Sequence, residues 1–206
     1  MKYEWRKSEK DIYLPKKVSV LNLPTYNYIT ISGKGNPNEQ EFSDRISTLY
    51  PVAYNLRMAL KNGVYTEPFE YTVYPLEGVW TTSDGSRDEY LNKDALVYKI
   101  MIRQPDQVTK EMFEESINDV KSKKDLALID NIRFEQISDG KVIEILHKGP
   151  FETEIESFKI MEDFMEQNNL TRNNIMEKYA HREIYLSDFR KVDRSKLKTT
   201  LRYSLN

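Results

Sequence analysis

Apolar positions along this chain change period several times, and each change predicts an element. Val18, Val20 and Leu21, then Tyr26 to Ser32, form a β-branched and aromatic run. Pro24 interrupts it, which predicts two strand pieces. Gly33 to Asn38 is a loop. From Glu39 the spacing becomes three and four: Phe42, Ile46, Leu49, Tyr50, Ala53, Tyr54 and Leu56 mark one helix face, and Asn62-Gly63 stops it. Pro51 should kink or divide that helix. Phe69 to Tyr74 alternates as a strand that continues through Leu76 to Trp80, with a bend at Gly78. Ser83 to Asp94 is a polar surface excursion.

A similar order then returns. Leu96 to Ile102 is a strand, Gln104-Pro105-Asp106 a turn, and Thr109 the cap of a helix from Lys110 to about Lys123. Ile132 to Ile137 and Lys141 to His147 read as a hairpin about Asp139-Gly140. Phe151, Ile155, Phe158, Met161 and Met165 mark a helix to about Asn168, and Asn173 to Tyr179 a short helix or turn. Strands follow over Arg182 to Leu186 and Leu197 to Leu205. Residues 1–17 are charged and predict an N-terminal extension, one helical turn or a strand, packed on the outside. The domain proper is then 18–206, in halves of about 18–82 and 95–206. The pattern strand, helix, strand, strand occurs twice, with an added helix in the second half. It predicts an α+β fold of two such modules, their antiparallel sheets placed around a central groove. The expected groove lies between the helix-free faces of the two sheets.

Composition narrows the chemistry. Among 206 residues, 31 Lys and Arg against 33 Asp and Glu leave a net charge of −2. That balance lacks the basic field of a nucleic-acid binder. Cysteine is absent and there are two histidines, His147 and His181, far apart. Disulfides, thiolate metal sites and Cys nucleophiles are excluded, and neither a metal nor a cofactor is expected. The opening residues carry no apolar run and no stretch reaches the ~18 apolar residues of a membrane span, so the expectation is a cytoplasmic protein with no membrane partner. Tyrosine is abundant, 14 residues. Such rings serve core edges, or line a hollow for a flat or cationic ligand.

Two constellations stand out. In Arg182-Glu183-Ile184-Tyr185-Leu186-Ser187, alternation sets Ile184 and Leu186 on one face and Glu183, Tyr185 and Ser187 on the other. With Ile184 and Leu186 facing the helices, Glu183 is expected on the helix-free side beside a tyrosine. A carboxylate held there can pair with a cation or act as a base. It could equally close a cross-strand ion pair with Lys198 or Arg202. The aromatic set is Tyr50 and Tyr54, four apart on one helix, then Tyr71, Tyr74, Trp80 and Tyr98. Core packing accounts for a helix-face pair as readily as a pocket does, whereas Trp80 and Tyr98 flank the junction of the halves.

Three segments taken in order, Tyr74-Pro75-Leu76-Glu77-Gly78-Val79-Trp80, Met101-Ile102-Arg103-Gln104-Pro105-Asp106, and His181 to Asp188 with Lys196 to Arg202, resemble the GyrI-like small-molecule-binding family. The similarity covers about 18–206, and departs from the usual pattern at Phe189 and Arg182. It implies two strand-helix-strand-strand modules around a ring-lined pocket with a central acidic residue, here Glu183. It also implies a hydrophobic aromatic or cationic small molecule as partner. Some stand-alone relatives hydrolyse cyclopropane-bearing alkylating compounds, and relatives fused to DNA-binding regions sense drugs. On that pattern Trp80, Tyr50, Tyr54, Tyr71 and Met101 would line the site. Glu183 would activate water, and Tyr98 or Tyr185 would stabilise the phenolate oxygen that forms. A topoisomerase-binding interaction module is a third function class open to this family.

Overall fold

The computed structural model describes residues 2–87 and 90–206; Asp88 and Glu89, in the polar excursion, and Met1 lie outside them. Alternating apolar residues build β1 (Ser19–Leu23), β2 (Tyr26–Lys34), β3 (Leu76–Thr82), β4 (Leu96–Gln104), β5 (Arg133–Ile137), β6 (Gly140–Lys148), β7 (Arg172–Asn173), β8 (His181–Tyr185) and β9 (Lys198–Leu205). The helices are α1 (Trp5–Ser8), α2 (Lys10–Tyr13), α3 (Gln40–Lys61), α4 (Lys110–Lys123) and α5 (Glu154–Gln167). α3 runs through Pro51 undivided, because an apolar face of Phe42, Ile46, Leu49, Val52, Ala53, Leu56 and Leu60 stays buried along its length. Thr109 caps α4, its side chain accepting from the Met112 amide at 3.3 Å.

The described strands form one nine-stranded sheet in the order β1-β6-β9-β8-β3-β4-β2-β5, with β7 beside β9, and every ladder antiparallel. The modules are β2-α3-β3-β4 and β6-α5-β8-β9. They join where β3 pairs with β8, so two separate sheets give way to a single one. The middle row reads Ile31, Ile100, Gly78, Glu183, Leu201, Ile145 across six strands. About the β3–β8 junction this row is two-fold symmetric by position, and Gly78 is the counterpart of Glu183. Two residues on, Trp80 is the counterpart of Tyr185.

The expected hairpin at Asp139-Gly140 does not form. β5 pairs with β2 and β6 pairs with β1 and β9, near opposite ends of the strand order. Six strand spacings in a flat sheet would cover about 29 Å, whereas the step from Ile137 to Gly140 reaches at most about 11 Å. The sheet therefore curls enough to bring β5 within reach of β6, while its path of paired strands stays open. β1–β2 and β6–β5 act as one kinked ribbon in constant register, Leu23 opposite Gly140 and Tyr26 opposite Ile137.

The inner face, away from α3 and α5, holds charge. Arg182 is fully buried and paired with Glu77 at 3.0 Å and Asp139 at 2.6 Å. Arg202 pairs with Asp139 at 3.2 Å and Glu144 at 3.0 Å. Asp139, at the ribbon's kink, thus ties the crossing to β8 and β9. Burial alone would raise its pKa, but the Arg182 and Arg202 guanidiniums outweigh that and hold it low. The N-terminal stretch does not pack on the outside as expected. Trp5 and Tyr13 are buried in the main core, and the Tyr13 carbonyl accepts from the Thr200 hydroxyl at 2.8 Å on the inner face. Residues 69–75 are extended without a regular ladder; Tyr3 bridges to Tyr71 there, which replaces the strand expected over Phe69–Tyr74. Residues 174–180 form a turn closed by the Ile175–Tyr179 bridge.

Candidate functional site

The helices cover the flanks of the outer face. α3 lies on β2 and β4, with Phe42 against Trp80 and Tyr98 at centroid separations of 5.7 and 5.1 Å. α5 lies on β6, with Phe158 stacked on Tyr203 at 5.2 Å and meeting His181 at 5.0 Å. Between them runs the junction of β3 and β8. Its outward row along β8 is His181, Glu183, Tyr185, because these pair with Trp80, Gly78 and Leu76.

Glu183 therefore sits on the helix-bearing face, opposite to the expectation. Alternation alone could not tell which face carries the helices. Ile184 and Leu186 have the character of core residues under helices, which is what the expectation rests on. Ile184 is indeed core, but on the inner face, beside Arg182 rather than beneath a helix.

A hydrogen-bonded chain runs through the junction. The Trp80 indole N–H donates to the Tyr185 hydroxyl at 3.1 Å, and that hydroxyl donates to Glu183 Oε2 at 2.7 Å. His181 Nε2 lies 2.9 Å from Glu183 Oε1. The Glu183 side chain retains 14% of its exposure, so it is partly desolvated, and it reaches the cavity described below through Tyr185 rather than lining it. Neither Lys198 nor Arg202 pairs with it: both alternate to the inner face, where Arg202 meets acids of its own. Gly78 makes the chain possible. A Cβ there would come within 2.7 Å of Trp80 Nε1 and 3.2 Å of the Tyr185 hydroxyl.

A cavity of about 200 Å³ opens beside Tyr185. Its walls include Tyr50, Tyr54 and Ile46 from α3, Trp5 and Arg6 from α1, and the segments Thr72–Leu76 and Tyr185–Arg190. Phe189 and Phe151 meet Tyr185 edge-on at 5.6 and 6.0 Å. Burial, and then the Glu183 charge, push the Tyr185 hydroxyl far above the ordinary phenol pKa, so it remains a donor at every physiological pH.

The structure thus brings Glu183, Tyr185 and Trp80 into one chain, with Tyr50 and Tyr54 on the adjoining cavity wall. Tyr98 packs against Trp80 at 5.0 Å, under the Arg45 guanidinium, and does not touch Glu183. Tyr71 is buried away from the cavity, its hydroxyl donating to Gln104 Oε1 at 3.4 Å. Met101 belongs to the inner face, its sulfur 3.0 Å from Arg182 Nη1. Three participants were not singled out from the sequence. His181 alternates with Glu183 and could have been found from that spacing. Phe151 comes from the turn before α5 and Glu154 from its first residue, where an acid complements the helix dipole. Glu154 is buried, and burial followed by the Glu183 charge raises its pKa well above the carboxylate range.

The model of the GyrI-like small molecule binding domain matches residues 16–204. The chain belongs to the GyrI-like family. This GyrI-like chain is also similar over nearly its full length to solved structures from Listeria innocua. An uncharacterized conserved protein shares 32% identity at a TM-score of 0.88, covering 99% of this chain and 100% of its own. A protein described as a hydrolase shares 32% identity at 0.87 and covers 100% of both chains. The EcmrR C-terminal domain, at 14% identity and a TM-score of 0.52 over 95% of this chain and 98% of its own, shares the fold. No protein of curated function matches. Among the described residues no helix is long and apolar enough to cross a membrane.

Proposed function

We propose that this GyrI-like domain binds flat, hydrophobic small molecules at the β3–β8 junction and hydrolyses those bearing a strained, electrophilic cyclopropane, a detoxifying activity. The observation that carries this reading is the chain Trp80–Tyr185–Glu183–His181 beside a ring-lined cavity. The full-length similarity to a Listeria innocua protein described as a hydrolase supports it.

The residues divide the work. Tyr50, Tyr54, Tyr185 and Phe189 offer ring faces to an aromatic ligand. Glu183, fixed by two donors, takes a proton from a water. That water's oxygen forms a bond to the ring methylene as a cyclopropane C–C bond breaks. The released electron pair moves to the conjugated carbonyl oxygen, which becomes a phenolate and then takes a proton. His181, bonded to the same carboxylate, returns that proton. Of the two tyrosines considered for the phenolate, Tyr185 is adjacent to Glu183, and Tyr98 is not.

A second reading has its own support. A partly buried carboxylate among rings is also a receptor for a lipophilic cation, with no reaction. Incubation with a spirocyclic cyclopropane compound separates the two. Catalysis gives a product heavier by one water, which vanishes in Glu183→Gln while binding of the neutral compound remains. Binding without product supports the receptor. If Glu183→Gln altered neither affinity nor turnover, the site would lie elsewhere.

A further inference from the structure

Glu154 opens α5 and is buried, at 6% exposure. Its Oε1 has no hydrogen-bond partner. Its carboxyl group is hydrogen-bonded to Thr199, the residue opposite Tyr185 in the β8–β9 ladder. An acid this buried, with one oxygen unmatched, pays a large desolvation cost if it carries a charge. Glu183, in contrast, accepts from two donors, His181 and Tyr185.

We propose that Glu154 is a second carboxyl group of the same site, protonated in the free protein, and that a cationic ligand seated against Glu183 displaces its proton to solvent. The idea rests on the reading that ligands bind at Glu183. A neutral ligand leaves the proton in place, so the pair distinguishes charged from uncharged aromatics by proton exchange. The charged and titratable groups around Glu154 are few. β8 presents His181, Glu183 and Tyr185. β6 presents His147, which is taken by the Ser157 hydroxyl at 2.9 Å and the Pro150 carbonyl at 3.1 Å. The turn before α5 presents Glu152, paired with Arg194 at 2.5 Å. Among these, Glu183 and Glu152 favour the protonated acid, and no guanidinium pairs with Glu154 among the described residues.

The first test needs no ligand. Carbon-13 NMR of the glutamate carboxyls should show Glu154 titrating well above the usual carboxylate range, and shifting down in Glu183→Gln. Titration in the ordinary range, or no response to Glu183→Gln, overturns the proposal. The second test uses ethidium and an uncharged aromatic of similar size, by calorimetry in phosphate and in Tris. Ethidium should release a fraction of a proton in the wild type, and the neutral compound none. Ethidium affinity should strengthen with pH by up to about tenfold per unit across the Glu154 titration. Glu154→Gln, isosteric with the protonated acid, should bind ethidium with no buffer-dependent heat. Release that persists in Glu154→Gln refutes the role of Glu154. Ethidium affinity that survives Glu183→Gln refutes the site itself, a separate outcome.

Discussion

Gly78→Ala tests the junction most directly, because one methyl group should disturb the hydrogen-bonded chain without touching Glu183. The new Cβ would lie 2.7 Å from Trp80 Nε1, 3.1 Å from Trp80 Cε2 and 3.2 Å from the Tyr185 hydroxyl. The indole cannot swing aside freely, since Phe42 and Tyr98 hold its ring at 5.7 and 5.0 Å. Overpacking of a filled core costs about 1–3 kcal/mol. Loss of the Trp80–Tyr185 hydrogen bond adds about 1 kcal/mol. Alanine restricts the unfolded chain and returns about 0.4–1 kcal/mol. The net loss is roughly 2 kcal/mol, and for a domain of this size it corresponds to a fall in Tm of about 4–8 °C. Thermal unfolding measures the first consequence, and ligand affinity the second, which should weaken as Trp80 is displaced. A Gly78→Ala protein with unchanged or raised Tm and wild-type affinity would refute the claim that an empty position opposite Glu183 is what admits the two side chains.

Four further outcomes follow from the same geometry. Tyr185→Phe leaves the buried Trp80 N–H without an acceptor and removes a donor from Glu183, so denaturant unfolding should show a loss of about 1–3 kcal/mol; an unperturbed midpoint would mean the chain is not formed. Arg182→Ala removes the guanidinium from buried Glu77 and leaves Asp139 with Arg202 alone, and should cost about 3–5 kcal/mol in urea unfolding. Trp5→Ala should cost about 3–5 kcal/mol and also weaken ligand binding, since Trp5 is both core and cavity wall. Burial raises Glu144 to about 7 against the pull of Arg202, and burial likewise raises Glu77 and Glu154. Groups raised in this sense bind protons more tightly when folded, so stability should fall as pH rises from about 4.5 through about 7. Urea midpoints at pH 5 and 8 measure that fall, Glu144→Gln should recover part of it, and a midpoint that rises with pH contradicts it.

Much of the fold could be read from periodicity. The two strand-helix-strand-strand modules, the long apolar face of α3, the Thr109 cap and the family signature are all local patterns. Each depends on residues a few positions apart, where backbone geometry fixes which side chains share a face. The alternation in β8 likewise determined that Glu183 and Tyr185 share a face and that Arg182 is opposite.

Which face bears the helices was not in that pattern. Both faces of β8 mix polar and apolar side chains, and only the docking of α3 and α5 decides between them. The same holds for Asp139-Gly140, whose turn chemistry signals a reversal equally well for a hairpin and for a kink in a curled ribbon. Ladder partners far along the chain, β2 for β5 and β1 and β9 for β6, made the choice. The sequence by itself determined the elements and the residue types at the junction of the halves. Tertiary structure alone set Glu154 near Glu183, opened Gly78 to Trp80 and Tyr185, and buried the arginines inside the curl, because such contacts are made by strands and helices that meet only when the sheet curls.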